Sequence, residues 1–224
     1  MTQELWTSVD KYITDTLFAP DTELDAAVAA SDAAGLPSIQ VSAAQGRLLN
    51  IIARVRGARR ILEVGTLGGY STIWLARALP PDGQLVTLEI DPKHADVARS
   101  NFERAGLADR IELRVGDARE ILPQLAEERY GPFDLSFIDA DKVSIPHYFE
   151  WTLRMSRPGS LIIVDNVIRE GAVTDAESED ASVQGVRRLN EIMAADAHIT
   201  ATVLQTVGVK GYDGFSVALV ESGV

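Results

Sequence analysis

The architecture of this chain is set by the stretch Arg60-Ile61-Leu62-Glu63-Val64-Gly65-Thr66-Leu67-Gly68-Gly69-Tyr70. It opens with a short apolar run, which is typical of a buried strand. It then passes through a turn rich in glycine and enters an amphipathic segment over residues 70–79. This succession predicts a strand, a tight turn and a helix.

The same alternation continues along most of the chain. Strands are predicted at 61–64, 85–90, 111–115, 135–138 and 161–164, and helices at 70–79, 92–105, 117–129 and 145–155. Such alternation indicates right-handed βαβ units and a parallel sheet covered on both faces. After a helix at 182–194, two further apolar runs at 200–207 and 215–220 flank a glycine-rich link, which predicts a hairpin with an antiparallel last strand.

The first part of the chain, up to about Gly57, has helical periodicity instead. Pro20 ends the first predicted helix, Asp21 caps the second, and Ser42 caps a third. We therefore predict one α/β domain over residues 1–224, with N-terminal helices at 1–58 and an α/β core at 59–224.

Composition excludes several classes of function. The 224 residues hold 33 Asp and Glu against 21 Lys and Arg, giving a net charge of −12, and no cysteine. The negative charge argues against nucleic acid and anionic membranes as partners. The missing thiols exclude disulfides, thiolate metal sites and cysteine nucleophiles. Because no targeting segment or membrane-spanning run is visible, we expect a cytoplasmic protein.

Five consecutive predicted strands end in glycine or polar residues. These ends are Gly65-Thr66, Glu89-Ile90-Asp91, Gly116-Asp117-Ala118, Asp139-Ala140-Asp141-Lys142 and Asp165-Asn166. Ligands of open α/β sheets bind beyond the carboxyl ends of the strands. The sequence therefore predicts a binding site at this edge.

The glycine-rich turn and Glu89 favour a ligand that contains adenosine, because an acidic residue after the second strand can accept the ribose hydroxyls. NAD is the first alternative, but Leu67 interrupts its G-x-G-x-x-G fingerprint. Glu63 would oppose a pyrophosphate and would suit a cationic group such as an ammonium. S-adenosylmethionine (SAM) carries adenosine, a sulfonium and an amino-acid end without phosphate, and is favoured over NAD.

A second group of polar residues follows the fourth and fifth strands. Asp139 and Asp165 are one strand–helix–strand unit apart, and Asn166 adjoins the second. Two carboxylates and an amide carbonyl are hard oxygen ligands that suit Mg²⁺ or Ca²⁺. Lys142 is a candidate general base beside them. Each residue alone would more often be a turn, a cap or a solvated charge, and only their shared location favours a site.

These residues resemble the cation-dependent class I O-methyltransferases, which include the catechol and caffeoyl-CoA enzymes, and the chain is most similar to bacterial members. The resemblance rests on Glu63-x-Gly65-x-x-x-Gly69-Tyr70-Ser71, Ile138-Asp139-Ala140-Asp141-Lys142 and Val164-Asp165-Asn166-Val167. It implies a Rossmann-like α/β fold whose seven-stranded, mostly parallel sheet has an antiparallel last strand, and it implies a homodimer.

The resemblance also implies roles for individual residues. The residues implied to bind SAM are Val41, Glu63, Gly65, Thr66, Ser71, Glu89, Ala118 and Asp139. The implied metal ligands are Asp139, Asp165 and Asn166, with Mg²⁺ as the first choice and Ca²⁺ or Mn²⁺ as alternatives. Lys142 matches the proposed catalytic base. The implied methyl acceptor is a small phenolic molecule with vicinal hydroxyls.

Two departures leave the acceptor open. Ile145 stands where many relatives have tyrosine, and the segment at 208–215 is longer than is typical of bacterial relatives. Two other functions compete with methyl transfer, namely a NAD-dependent oxidoreductase and a non-catalytic SAM-binding protein.

Overall fold

The computed structural model describes residues 2–222. Its α-helices are α1 (Gln3–Leu17), α2 (Thr22–Ala33), α3 (Ala43–Arg56), α4 (Tyr70–Ala76), α5 (Pro92–Arg104), α6 (Ala118–Glu127), α7 (Ile145–Arg154) and α8 (Ala181–Ala195). Its strands are β1 (Arg60–Val64), β2 (Gln84–Glu89), β3 (Ile111–Val115), β4 (Phe133–Ile138), β5 (Ser156–Asp165), β6 (Ile199–Gly208) and β7 (Gly211–Val220). Short 3₁₀ segments lie at Ala108–Arg110 and Arg169–Thr174. None of the helices in this range is long and apolar enough to cross a membrane.

The strands form one seven-stranded sheet in the order β3-β2-β1-β4-β5-β7-β6. Strands β1 to β5 are parallel, while β7 pairs antiparallel with both β5 and β6. This arrangement confirms the predicted fold. The chain leaves β1 toward β2 and β3 and later returns to β4 on the other side, so a crevice opens between the carboxyl ends of β1 and β4.

Neighbouring residues of the central strands pack into two apolar layers on opposite faces of the sheet. Ile61 belongs to the layer formed with α2 to α5, whereas Leu62 belongs to the layer formed with α6 to α8. Both are fully buried, as expected for parallel strands covered on two faces. Helix α1 has no buried side chain and lies against β6.

The predicted helix starts are confirmed by their caps. The Asp21 carboxylate accepts a hydrogen bond from the Leu24 N–H at 3.1 Å, and the Ser42 hydroxyl accepts from the Gln45 N–H at 3.2 Å. Each cap satisfies a backbone donor that the first helical turn leaves free.

The C-terminal hairpin is confirmed, but the predicted glycine-rich link is too long. Strand β6 extends to Gly208 and β7 begins at Gly211, so only Val209 and Lys210 form the turn. Gly214 lies within β7, where a Cβ atom would stand 2.1 Å from the Leu204 carbonyl oxygen. The glycines therefore permit close strand pairing as well as a turn.

Asp134 anchors the sheet at the edge opposite the crevice. Its side chain is 5% exposed and accepts hydrogen bonds from the Arg59 and Arg60 N–H groups at 2.8 and 3.1 Å. It also pairs with the Arg157 guanidinium. Burial alone would raise the pKa of Asp134, but these donors together hold it below its ordinary value.

We expect Asp134→Asn to lower the free energy of unfolding at pH 7 by about 1–3 kcal/mol, because a charge-assisted network is lost. A carboxyl group with a lowered folded-state pKa stabilises above its unfolded pKa and loses that effect as pH falls through the folded value. The difference between parent and variant should therefore shrink below about pH 4. Urea denaturation measures both.

Asp82→Asn is the matched control, because Asp82 pairs with Arg59 on the surface and both side chains are more than half exposed. This change should alter stability by less than about 0.5 kcal/mol. Equal stability of the two variants would contradict the anchoring role of Asp134.

Candidate active site

A cavity of about 830 Å³ opens at the carboxyl edge of β1 to β4. It is large enough for a cofactor-sized molecule. The residues predicted from sequence that line it are Val41, Gly65, Thr66, Ser71, Glu89, Ala118, Asp139, Lys142 and Asn166. Glu63 and Asp165 are not among its lining residues.

The turn after β1 is shaped by the close approach of two strand ends. Gly65 has φ +100°, and a Cβ atom there would lie 2.1 Å from the Asp139 carbonyl oxygen. The Asp139 N–H donates to the Val64 carbonyl at 2.8 Å. Only glycine fits such a contact with positive φ, so the turn can pass directly over the end of β4.

Glu89 holds this turn from the neighbouring strand. One of its carboxylate oxygens accepts from the N–H groups of Thr66 and Leu67 at 3.2 and 2.7 Å, and the other accepts from the Asp91 N–H at 3.0 Å. Leu67 adopts positive φ (51°), which aims its N–H at this acceptor. Glu89 is 7% exposed and lines the cavity. It therefore fixes the loop while still facing the space a ligand would fill.

Glu63 lies beneath the cavity wall. Its side chain is fully buried and accepts hydrogen bonds from the hydroxyls of Ser71 at 2.6 Å, Thr87 at 2.7 Å and Thr72. Burial, opposed by these hydroxyls and reinforced by the charge of Asp139, raises the pKa of Glu63 to about 7. In this structure Glu63 reaches the cavity through Ser71, and its contact with a cofactor stays a prediction.

Asp139 and Lys142 form an ion pair on the cavity wall. The Lys142 ammonium lies 2.9 Å from the Asp139 carboxylate, and the lysine side chain is 10% exposed. The spacing of three residues places both groups in the loop that joins β4 to α7. A nearly buried cation therefore faces the cavity beside a carboxylate.

Asp165 and Asn166 lie at the end of β5, beside β4. Asp165 is 4% exposed and lines a second cavity of about 290 Å³, bounded by the start of α3, the segment after β5 and the β6–β7 hairpin. Asn166, with φ 56°, lines both cavities. Burial and the negative charge of Asp139 raise the pKa of Asp165 to about 7, against a smaller lowering by Lys142.

The structure thus brings Asp139 and Asp165 close enough for their charges to interact, with Asn166 between the cavities. Within residues 2–222 no cluster of three or more His, Cys, Asp or Glu side chains is arranged to hold a metal. A cation here would rely on two carboxylates and one amide. Such a set leaves coordination positions for substrate and water.

Sequence reasoning assigned no role to two residues that the structure places at the site. Gln45, on the first turn of α3, donates from its amide to Asp165 at 2.6 Å. His94, on α5, lines the larger cavity with its Nδ1 3.5 Å from a Glu89 oxygen. No local pattern indicates either contact, because each one joins elements that are far apart in sequence or that meet only in the folded core.

Comparisons with known proteins show the family of the chain. The O-methyltransferase family matches residues 22–218. The chain is 53% identical over 221 residues to a catechol O-methyltransferase of Niastella koreensis, which covers 99% of this chain and 100% of that one.

Two solved structures are similar throughout. An O-methyltransferase from Bacillus cereus in complex with SAH has a TM-score of 0.97 and 55% identity, covering 98% of this chain and 100% of that one. The O-methyltransferase TomG from Streptomyces achromogenes, involved in tomaymycin synthesis and solved in complex with SAM, has a TM-score of 0.96 and 53% identity, covering 99% and 100%.

A seven-stranded sheet with an antiparallel last strand and an acidic cavity at its carboxyl edge is thus the architecture of a methyltransferase. The chain belongs to the O-methyltransferase family. The predicted family and enzyme class are confirmed, and the oxidoreductase alternative is not supported.

The buried Glu63 generates a prediction about stability and pH. Its folded-state pKa is raised above the ordinary 4.5, so its contribution to stability is full below that value and is lost as pH rises through about 7. Glu63→Gln removes the ionisation. Between pH 5.5 and 8 the unfolding free energy of the variant should gain about 2 kcal/mol relative to the parent. Urea denaturation in EDTA at both pH values measures this, and a constant difference would contradict it.

Proposed function

We propose that this enzyme transfers the methyl group of SAM to one hydroxyl of a small vicinal diphenol. The observation that carries the proposal is the position of Asn166, which lines both cavities. The larger cavity would hold the methyl donor, and the junction at Asn166 would hold the reacting hydroxyls. The named activity of the Niastella koreensis relative supports a catechol-like acceptor.

The charge of the larger cavity supports SAM as the donor. Its lining includes four carboxylates, Glu89, Asp117, Asp139 and Asp141, against the two cations Arg119 and Lys142. An acidic lining attracts a sulfonium and an ammonium and opposes a pyrophosphate, which disfavours NAD. The SAH and SAM of the two solved relatives support the same choice.

Individual residues would share the binding of SAM. Glu89 would accept hydrogen bonds from the ribose hydroxyls, and Ala118 would pack against the adenine. Gly65, Thr66 and Ser71 would hold the amino-acid end, with Glu63 behind Ser71. The backbone at Val41 would close the opposite wall, with Asp139 beside the donor.

The donor set after β4 and β5 would fit a divalent cation. Asp139, Asp165 and Asn166 provide hard oxygen ligands, which suit Mg²⁺ first and Mn²⁺ or Ca²⁺ as alternatives. Lys142 already pairs with Asp139, whereas no Lys, Arg or His within residues 2–222 forms an ion pair with the buried Asp165. A buried carboxylate without such a partner is costly, and a bound cation would offset that cost. A cation there would supply the charge that favours the ionised form of a phenol.

The residues of the chain would then orient the acceptor and remove its proton. Lys142, after giving up a proton, would accept the phenolic proton at Nζ. The phenolate oxygen forms a bond to the methyl carbon as the carbon–sulfur bond breaks, and SAH is the second product. Holding oxygen, carbon and sulfur in line can contribute about 7–11 kcal/mol.

We further propose that the enzyme is a cytoplasmic homodimer that binds neither nucleic acid nor membranes. Exposed apolar side chains on α1, including Leu5, Val9, Tyr12 and Leu17, would suit a second copy of the chain. The net charge of −12 supports the absence of nucleic-acid binding.

Methyl transfer should depend on a divalent cation. With SAM and catechol, excess EDTA should abolish the mono-methylated product detected by mass spectrometry, and Mg²⁺ should restore it. Asp165→Ala should lack activity under both conditions. Phenol, which has one hydroxyl, is the control acceptor and should react far more slowly. Full activity in excess EDTA would exclude the metal, and no transfer to any diphenol would support a non-catalytic binding protein.

Lys142→Ala should lower kcat by about 10²–10⁴-fold. SAH affinity should change little, because the proposed role of Lys142 is to take the proton of the acceptor. Higher pH should partly rescue this variant, since the phenol then ionises without help. Lys142→Arg should rescue poorly, because a guanidinium stays protonated. If Arg restores most of the rate, the role of Lys142 is electrostatic, and parental turnover by Lys142→Ala would exclude both roles.

A further inference from the structure

One side chain outside the predicted set touches the candidate metal site. The Gln45 amide Nε2 donates to Asp165 Oδ2 at 2.6 Å, across 120 residues of sequence. The other Asp165 oxygen accepts the N–H of Asn166 at 2.9 Å. Each oxygen of the Asp165 carboxylate therefore accepts one hydrogen bond. Within residues 2–222, Gln45 is the only donor to Asp165 that comes from another element.

The start of α3 fixes the position of Gln45. Ser42 caps the helix by accepting the Gln45 N–H at 3.2 Å, which stabilises the first turn around this residue. Gly46 follows it against Trp74, where a Cβ atom would stand 2.3 Å from the indole ring. This close packing against α4 fixes the first turn of α3 beside Asp165.

We propose that Gln45 is a positioning residue that orients Asp165 for a divalent cation. This inference rests on the proposed function, because it concerns the same cation. A carboxylate held at one oxygen by a rigid donor cannot rotate freely, so its remaining lone pairs keep one direction. Groups that orient metal ligands in this way typically change metal affinity by about 10–100-fold when removed.

The same helix offers a contrast in Asn50. Its amide donates to the Trp74 carbonyl at 2.8 Å, which ties α3 to α4 away from the cavities. Both amides are half-buried and each makes one hydrogen bond to another element. Of the two amides, only that of Gln45 contacts a candidate metal ligand. A variant of Asn50 therefore tests the loss of a contact that supports α3, without loss of the contact that orients Asp165.

The test compares Gln45→Met with Asn50→Leu in the full chain. Both changes replace an amide by an apolar side chain of similar length. Mn²⁺ binding is measured by electron paramagnetic resonance of the free ion, and SAH binding is measured by calorimetry in EDTA. Gln45→Met should weaken Mn²⁺ binding by about 10–100-fold with SAH affinity unchanged. Asn50→Leu should keep the parental Mn²⁺ affinity, whatever it loses in thermal stability.

A kinetic readout completes the test. The Mg²⁺ concentration that gives half-maximal methyl transfer should rise about 10–100-fold for Gln45→Met, and saturating Mg²⁺ should restore most of kcat. A role in folding alone would leave the Mn²⁺ affinity of the folded protein unchanged, since Mn²⁺ would then only shift the folding equilibrium. Parental Mn²⁺ affinity in Gln45→Met overturns the inference and leaves the proposed function intact. Absence of Mn²⁺ binding by the parent protein overturns both.

Discussion

The contact between the ends of β1 and β4 is the constraint on which the candidate site depends. Gly65 lies so close to the Asp139 carbonyl that any side chain would collide with it. Because of this contact, the loop after β1 and the loop after β4 share one crevice. The turn after β1 and the pair of Asp139 and Lys142 therefore face the same space.

Two carboxyl groups, those of Glu63 and Asp165, are buried beside the candidate site. Glu63 is stabilised by three hydroxyls, whereas Asp165 has only Gln45 and a backbone N–H. Burial raises the pKa of both carboxyl groups. The difference in their partners matches their proposed roles. Glu63 is satisfied within the protein, while Asp165 retains acceptor capacity for a cation.

Much of the fold followed from the sequence, because apolar periodicity and glycine positions are local properties. The strand and helix order, the caps at Asp21 and Ser42 and the antiparallel β7 were all predicted. The predicted link of the hairpin was too long. Glycines at 208 and 211 suggested turn residues, but Gly208 is the last residue of β6 and Gly211 the first of β7.

The sequence by itself determined which residue types stand at the strand ends. It therefore predicted a binding site at this edge of the sheet that contains carboxylates and glycines. The tertiary structure determined which of these groups face that cavity. It placed Glu63 beneath the wall, turned Asp165 toward a second cavity and brought Gln45 to it from a helix 120 residues earlier. The physical reason is that such contacts depend on how the helices pack against the sheet. This packing is determined by the whole core and not by any local sequence pattern.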